Sequence, residues 1–103
     1  MASGTDVTNN ADQHRYEARV DGNLAGWVDY QLTTELVVIT HTEVDPSYEG
    51  QGIGSALARA TLEDVDDQGR KALVICPFIT SWIRRHPEYR NVLYGAPPSK
   101  VTD

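Results

Sequence analysis

The stretch YEGQGIGSAL, residues 48–57, places three glycines at alternate positions immediately before a run of helix-forming residues. Glycine loses more conformational entropy on folding than any other residue, so such a cluster indicates that bare backbone is required. A glycine-rich loop that leads into a helix is typical of a phosphate site, because free backbone N–H groups and the positive end of the helix dipole meet there. The alternative is a tight turn in which Gly54 lets the helix pack closely on a sheet.

Two common phosphate-binding loops do not fit this stretch. The P-loop requires Gly-Lys-Ser/Thr after its glycines, and no such sequence follows. The dinucleotide fingerprint requires a βαβ unit with an acidic residue further along, whereas the segments before residue 48 are predicted to form a meander. A pyrophosphate site of another kind remains, beside the alternative of a packing turn.

The residues around the loop predict an α/β (α+β) sandwich, with helices packed on a mostly antiparallel sheet. Apolar residues alternate before the loop, which is typical of half-buried strands, and recur at helical spacing after it. The predicted elements are strands over residues 14–20, 24–32 and 36–44, a helix over 52–68, a strand over 72–76 and a helix from residue 77. The predicted order is therefore β-β-β-α-β-α.

The length of 103 residues is typical of one domain. Residues 1–12 are small and polar, so we expect a disordered tail there. The folded domain is predicted over residues 13–95, and the segment 96–103 is expected to be a flexible tail.

The composition excludes several classes of partner. With 15 acidic and 9 basic residues the formal charge is −6, which argues against a nucleic-acid binder. The apolar runs are too short to cross a bilayer, so no membrane partner is expected. The lone Cys76 permits no internal disulfide and no cysteine-based metal cluster. Together with an N-terminus unlike a signal peptide, this favours a cytoplasmic location.

Residues 49–54, Glu-Gly-Gln-Gly-Ile-Gly, resemble the acetyl-CoA loop of the GNAT acetyltransferase superfamily. That loop has the pattern Arg/Gln-x-x-Gly-x-Gly/Ala, which is matched at Gly52 and Gly54, while Glu49 stands where the superfamily has Arg or Gln. Residues 39–44 and 76–89 are similar to blocks of the small, single-domain YjdJ-type branch, and the resemblance covers roughly residues 14 to 94. It implies a minimal GNAT fold, splayed between the third and fourth predicted strands.

The resemblance also implies that acetyl-CoA is the cosubstrate, with no metal. Its pyrophosphate would accept hydrogen bonds from the backbone of the glycine loop, and two arginines would clamp its phosphates. The helix dipole and solvent exposure explain the same arginines without a ligand. The predicted cofactor-binding residues are Val44, Gln51, Gly52, Ile53, Gly54, Ser55, Arg84 and Arg85.

His41 and Cys76 are the candidate catalytic residues. Cys76 precedes the second helix, and a helix N-terminus favours the thiolate form of a cysteine. His41 lies on the strand expected beside that of Cys76, and a neutral imidazole is a suitable base near neutral pH. The two are predicted to form a Cys–His pair that relays an acetyl group. The ordinary alternatives are a small buried thiol and a structural histidine on the Val37 and Ile39 face.

The function predicted from these residues is acetyl transfer to an amine acceptor, which is either a small molecule or a protein. Two routes are left open, direct transfer and transfer through an acetyl-cysteine intermediate. The rival interpretation is a CoA-binding regulatory or interaction module with little turnover. A third is a structural domain with a glycine turn and no ligand. The sequence is compatible with a monomer or a homodimer.

Overall fold

The computed structural model describes residues 5–95, in which five strands form one sheet in the order β1-β2-β3-β4-β5. The strands are β1 (Thr5–Asn10), β2 (Arg15–Val20), β3 (Asn23–Leu32), β4 (Leu36–Val44) and β5 (Lys71–Val74). The helices are α1 (Ile53–Asp67) and α2 (Pro77–Arg85), and short 3-10 helices cover Ala11–Gln13, Pro46–Tyr48 and Pro87–Val92. The predicted mixed α/β fold is confirmed.

The first four strands pair antiparallel, and β5 then pairs parallel to β4. A parallel pair needs a long crossover connection, and the glycine loop and α1 supply it. This topology places the N-terminal end of α1 at the edge where β4 ends.

The prediction of a disordered tail over residues 1–12 is wrong for residues 5–12. Thr5–Asn10 forms β1, which pairs with β2 along its whole length. The segment is polar, but its side chains find partners: the Tyr30 hydroxyl donates to Asn9 Oδ1 at 2.6 Å, and Asn10 Nδ2 donates to Glu17 at 3.1 Å. The polar composition alone predicted disorder, because the residues that satisfy these side chains lie elsewhere in the sequence and are not visible in a local pattern. Residues 1–4 and the predicted tail at 96–103 lie outside the described residues.

Both helices contribute to one buried cluster on a single face of the sheet. Gly26 in β3 lets α1 approach, because a Cβ there would lie 2.6 Å from the Glu43 carbonyl oxygen and 3.3 Å from atoms of Ile53 and Leu57. The largest fully buried side chains are Trp82, Tyr30, Ile39, Leu57, Leu62, Ile79, Val28, Val37, Val65 and Thr61.

A bulge in β4 changes which of its side chains face the helices. Tyr30 pairs with Ile39 and Asp29 pairs with His41, so Thr40 is the extra residue. Because side chains alternate along a strand, one inserted residue reverses the pattern. Val37 and Ile39 are buried before the bulge, whereas Thr42 and Val44 are the partly buried residues after it.

Strands β4 and β5 separate after Ile39, as predicted. They pair only over Leu36–Ile39 and Lys71–Val74. The amides of Ile75 and Cys76 both donate to the Ile39 carbonyl, and the chain then turns into α2. The second half of β4 therefore has no strand beside it on that side among residues 5–95.

Neither α1 nor α2 combines the length and the apolar character needed to span a bilayer. Within residues 5–95, no group of three or more His, Cys, Asp or Glu side chains is placed to hold a metal ion.

Candidate active site

A cleft of about 510 Å³ lies between the N-terminal end of α1 and one side of α2. It brings together most of the predicted cofactor-binding residues, namely Val44, Gly52, Ile53, Gly54, Ser55 and Arg85. Gln51 and Arg84 do not line it, and neither do His41 and Cys76. The cleft is lined in addition by Tyr48, Glu49, Gly50, Phe78, Trp82 and His86.

Glycine is required at the three loop positions for two different structural reasons. Gly50 and Gly52 have φ values of +83° and +79°, a left-handed conformation that L side chains rarely adopt. No atom lies within 4 Å of a Cβ built on either residue, so both leave open space. Gly54 differs, because its Cβ would lie 2.6 Å from Phe78 Cζ. It permits contact between the two helices, not the predicted contact between helix and sheet.

The loop presents a row of backbone donors to the cleft. The first helical hydrogen bond of α1 runs from the Ala56 amide to the Gly52 carbonyl. The N–H groups of residues 52–55 therefore have no acceptor among the described residues, as is usual at a helix N-terminus. The predicted donor at Gln51 is already used, because its amide donates to the Tyr48 carbonyl at 3.3 Å.

A short turn fixes the chain before the loop. The Asp45 carboxylate accepts hydrogen bonds from the Ser47 hydroxyl and, at 2.9 Å, from the Ser47 amide. These bonds favour the ionised carboxylate and lower the pKa of Asp45. The turn carries the chain from the end of β4 to Tyr48 and Glu49, at the rim of the cleft.

Side chains from one face of α2 form the opposite wall. The indole N–H of Trp82 donates to Ser55 Oγ at 2.8 Å, which ties α2 to the first turn of α1. The His86 ring stacks on Trp82 with a centroid separation of 3.9 Å. His86 Nδ1 lies 2.8 Å from the Trp82 carbonyl oxygen, and a carbonyl only accepts, so Nδ1 carries a proton.

The two predicted phosphate-binding arginines lie on different sides of α2. Arg85 lines the cleft beside the glycine loop, whereas Arg84 lines a separate groove next to β5. Consecutive helical residues point about 100° apart, so neighbours in sequence do not share a face. The prediction that Arg84 helps to hold phosphates at this site is therefore wrong in its geometry.

Cys76 is buried at the start of α2, at the point where β4 and β5 separate. Its Sγ lies 3.3 Å from Thr42 Oγ1, and either atom can be the donor. Thr42 lies two residues before Val44, and both have the same orientation after the bulge. Val44, which lines the cleft, and Thr42, which contacts the thiol, therefore lie on the same face of β4.

His41 lies on the opposite face of the sheet and is exposed. Its Nε2 is 2.8 Å from Glu43 Oε1, and its partner across β3 is Asp29. Because a carboxylate only accepts, Nε2 is the protonated nitrogen and Nδ1 of the neutral ring has a free lone pair. The predicted Cys–His pair is not formed, since the bulge at Thr40 turns His41 away from the face that carries Thr42 and Cys76.

The sequence reasoning missed several residues of the site. Phe78, Trp82 and His86 recur every four residues, which predicts a common helix face, but the same spacing is equally typical of core packing. The orientation of Thr42 depends on the bulge, which no local sequence pattern predicts.

Residues 15–92 match the sequence model of the family described as GCN5-related N-acetyl-transferase. Because this match covers most of the chain, the chain belongs to that family. The fold agrees with a GCN5-like protein from Staphylococcus aureus, with a TM-score of 0.69 at 20% identity over 94% of this chain and 95% of that one. A ribosomal-protein-alanine N-acetyltransferase from Brucella melitensis has a TM-score of 0.56 at 23% identity, over 86% of this chain and 67% of that one.

Among curated proteins, this chain is similar to Protein NATD1 from Gallus gallus and from Homo sapiens. Each is 36% identical over 52 residues, which is 50% of this chain and 47% and 46% of those proteins, respectively. The matched segment thus spans about half the length of the curated relatives.

Proposed function

We propose that this chain is an acetyl-CoA-dependent N-acetyltransferase that acts on an amine. One observation carries the proposal: the N–H groups of residues 52–55, which have no acceptor within residues 5–95, line a cleft that already contains a cation, Arg85. Backbone donors at a helix N-terminus suit a pyrophosphate, whose charge also interacts favourably with the helix dipole. Membership of the acetyltransferase family supports acetyl-CoA as the source of that pyrophosphate.

The residues of the cleft fit such a group. Gly50 and Gly52 leave the space that a Cβ would occupy open, so a phosphate can approach the backbone. Ser55 adds a hydroxyl that accepts from Trp82 and has its own proton to donate. The Glu49 carboxylate at the rim is unfavourable near a phosphate, and Arg85 is the residue that offsets it.

The separation of β4 and β5 supplies the route to the reacting end. When bound, acetyl-CoA supplies an acetyl group on a thioester that an amine can attack. Beyond Val44 the same face of β4 carries Thr42, which contacts Cys76. Within residues 5–95 no strand pairs with this side of β4 after Ile39, so the thioester can reach the other face of the sheet there. His41 and Glu43 lie on that other face.

We assign to His41 the role of general base for the amine. Its Nδ1 accepts the amine proton, while the hydrogen bond from Nε2 to Glu43 holds the ring and stabilises the imidazolium that forms. In the balanced reaction the amine nitrogen bonds to the acetyl carbon, the C–S bond breaks, and the CoA sulfur leaves as a thiolate that takes up a proton.

The binding site is tested by calorimetric titration with acetyl-CoA. Gly52→Asn keeps a residue that tolerates the left-handed conformation but places a side chain in the open space, so we expect at least a tenfold loss of affinity. Gly22→Asn is the matched control, because Gly22 has φ +85° and equally open space in the turn between β2 and β3. Equal affinity of the two variants would place the ligand elsewhere.

A second pair of variants separates the two sides of α2. Arg85→Gln should weaken acetyl-CoA about fivefold, the order expected for loss of one exposed ion pair. Arg84→Gln changes the same charge at the next residue, on the other groove, and should leave acetyl-CoA affinity unchanged. Equal losses in both variants would indicate a general charge effect and no local contact.

Turnover is tested with spermidine and with a lysine-containing peptide as acceptors. His41→Ala should lower the rate about a hundredfold with unchanged acetyl-CoA affinity, because it removes a general base and no binding contact. If the wild-type chain binds acetyl-CoA and turns over neither acceptor, the rival function of a CoA-binding regulatory module is favoured.

A covalent route through acetyl-Cys76 is the second candidate, supported by the position of the thiol at the separation of the strands. In that route the Cys76 sulfur takes the acetyl group, CoA leaves, and the amine then displaces the cysteine. Because His41 does not contact Cys76, we favour direct transfer, for which Cys76→Ala retains turnover. Loss of turnover in that variant, with an acetylated wild-type chain in a mass spectrum without acceptor, would favour the covalent route.

We also propose membership of the YjdJ-type branch, supported by the residues quoted above. The charge of −6 supports a cationic amine as acceptor, such as a polyamine or a lysine side chain, because opposite charge favours encounter. A cytoplasmic location remains a proposal from the cysteine content.

A further inference from the structure

A second groove, of about 490 Å³, lies on the other side of α2 from the cleft. Its apolar lining includes Leu73, Ile83, Leu93 and Tyr94, and its rim carries Arg84 and Arg90. Leu73 and Tyr94 are 38% and 59% exposed, so large apolar side chains face solvent here. The proposed acetyl transfer uses none of these residues.

The groove runs along an incompletely paired edge of the sheet. The amides of Lys71 and Ile75 donate toward β4, so the backbone groups of the even-numbered residues of β5 point to the outer edge. At that edge the Tyr94 amide donates to the Ala72 carbonyl at 2.8 Å. The next outward residue, Val74, has neither its N–H nor its C=O paired with a described residue, which leaves a place for another strand.

The charge of the groove is opposite to that of the chain. The guanidinium groups of Arg84 and Arg90 make no hydrogen bond and no ion pair with any residue of the described range 5–95. The sequence as a whole has a formal charge of −6. The dipole of α2 accounts for a cation in its last turn at Arg84. It does not account for Arg90, which comes from the following 3-10 helix and flanks the same groove.

We propose that this groove binds an extended peptide segment of a partner protein that carries Asp or Glu side chains. The peptide backbone pairs with Val74 as an added strand, its apolar side chains cover Leu73 and Ile83, and its carboxylates pair with Arg84 and Arg90. Strand addition supplies affinity through main-chain hydrogen bonds and selects partners through alternate side chains. Arginine suits such a site because its planar guanidinium matches a carboxylate.

The test is a fluorescence anisotropy titration of the full chain with a labelled peptide of alternating valine and glutamate. We expect saturable binding that weakens as salt is added, and much weaker binding of a valine and lysine peptide of the same length. Arg84→Gln and Arg90→Gln should each weaken binding about fivefold. Arg85→Gln, on the other side of α2, is the matched control and should leave peptide affinity unchanged.

Strand pairing is tested on the peptide, which avoids any effect on folding of the chain. N-methylation at alternate residues removes the N–H groups that an added strand needs, so binding should be lost. Equal binding of the lysine peptide would overturn the proposal. So would retained binding whichever alternate set of peptide residues is methylated, or unchanged peptide affinity of both Arg84→Gln and Arg90→Gln. Peptide binding that is seen only with a variant truncated after Gly95 would also overturn the proposal. In that case residues 96–103 of the chain itself would occupy the groove.

Discussion

Glu17 is a buried carboxylate on the sheet face that the helices do not cover. Its side chain is only 5% exposed because Arg15, Arg19 and Asn10 surround it, with Arg15 Nε at 2.6 Å and Arg19 Nη2 at 3.0 Å. The hydrogen bond from Arg15 is the main reason that the pKa of Glu17 is lowered, and it outweighs desolvation by burial. The cluster joins β1 and β2 on the face that also carries His41.

This lowered pKa predicts a loss of stability in acid. Because the pKa of Glu17 is lower in the folded state than in the unfolded chain, the ionised carboxylate stabilises the fold. This contribution to the free energy of unfolding is fully present above the unfolded-state pKa. It is lost as the pH falls through the folded-state pKa. Glu17→Gln should therefore make the free energy of unfolding less dependent on pH below about pH 5. Urea unfolding of both proteins between neutral pH and about pH 3 measures the slopes, and parallel curves would contradict the assignment.

At the scale of elements, the contact between α1 and α2 positions the cleft. It includes the Ser55–Trp82 hydrogen bond and the approach of Phe78 to Gly54. The Phe78 ring is 38% exposed, so it can move outward if a side chain is added opposite. The same ring lines the cleft, and a change at Gly54 therefore affects both packing and ligand access.

Gly54→Ala should destabilise the fold by about 1 kcal/mol, because the added methyl group displaces the Phe78 ring. In a Phe78→Ala background the same substitution should cost nothing or stabilise α1, since alanine is the better helix former. A double-mutant cycle by urea unfolding measures this coupling. An equal cost in both backgrounds would mean that helix strain at residue 54, and not the ring, is responsible.

At the scale of the whole molecule, β1 forms one edge of the sheet and contributes to the core through Val7. It also satisfies the Tyr30 hydroxyl through Asn9. Loss of β1 would expose β2 as a new edge and leave that buried hydroxyl without its partner. Residues that look like a tail in the sequence are thus part of the fold.

Deletion of residues 1–10 should lower the free energy of unfolding by at least about 2 kcal/mol, because several hydrogen bonds and the burial of Val7 are lost. Deletion of residues 1–4 is the control and should have little effect. Thermal unfolding of the two truncated chains compares them directly. An unchanged midpoint for the longer deletion would show that β1 adds nothing to stability.

Features that depend only on neighbouring residues could be predicted from the sequence. Periods of two and 3.6 residues located the predicted strands and helices, and the glycines of residues 50–54 located the start of α1. Both signals are local, because side-chain spacing and the sign of φ are properties of a short segment. The resemblance of residues 49–54 to a known loop belongs to the same class of information.

Which side chains come into contact depends on the folded arrangement of distant segments. The bulge at Thr40 arises from pairing with β3, and it separates His41 from Cys76 although their places on neighbouring predicted strands suggested a pair. Arg84 and Arg85 reach different grooves because consecutive residues of α2 point about 100° apart and the two grooves lie on different sides of this helix. The strand β1 exists because β2 and Tyr30 satisfy polar groups that its own sequence leaves unpaired. These outcomes depend on contacts between residues far apart in the chain, and no local pattern encodes them.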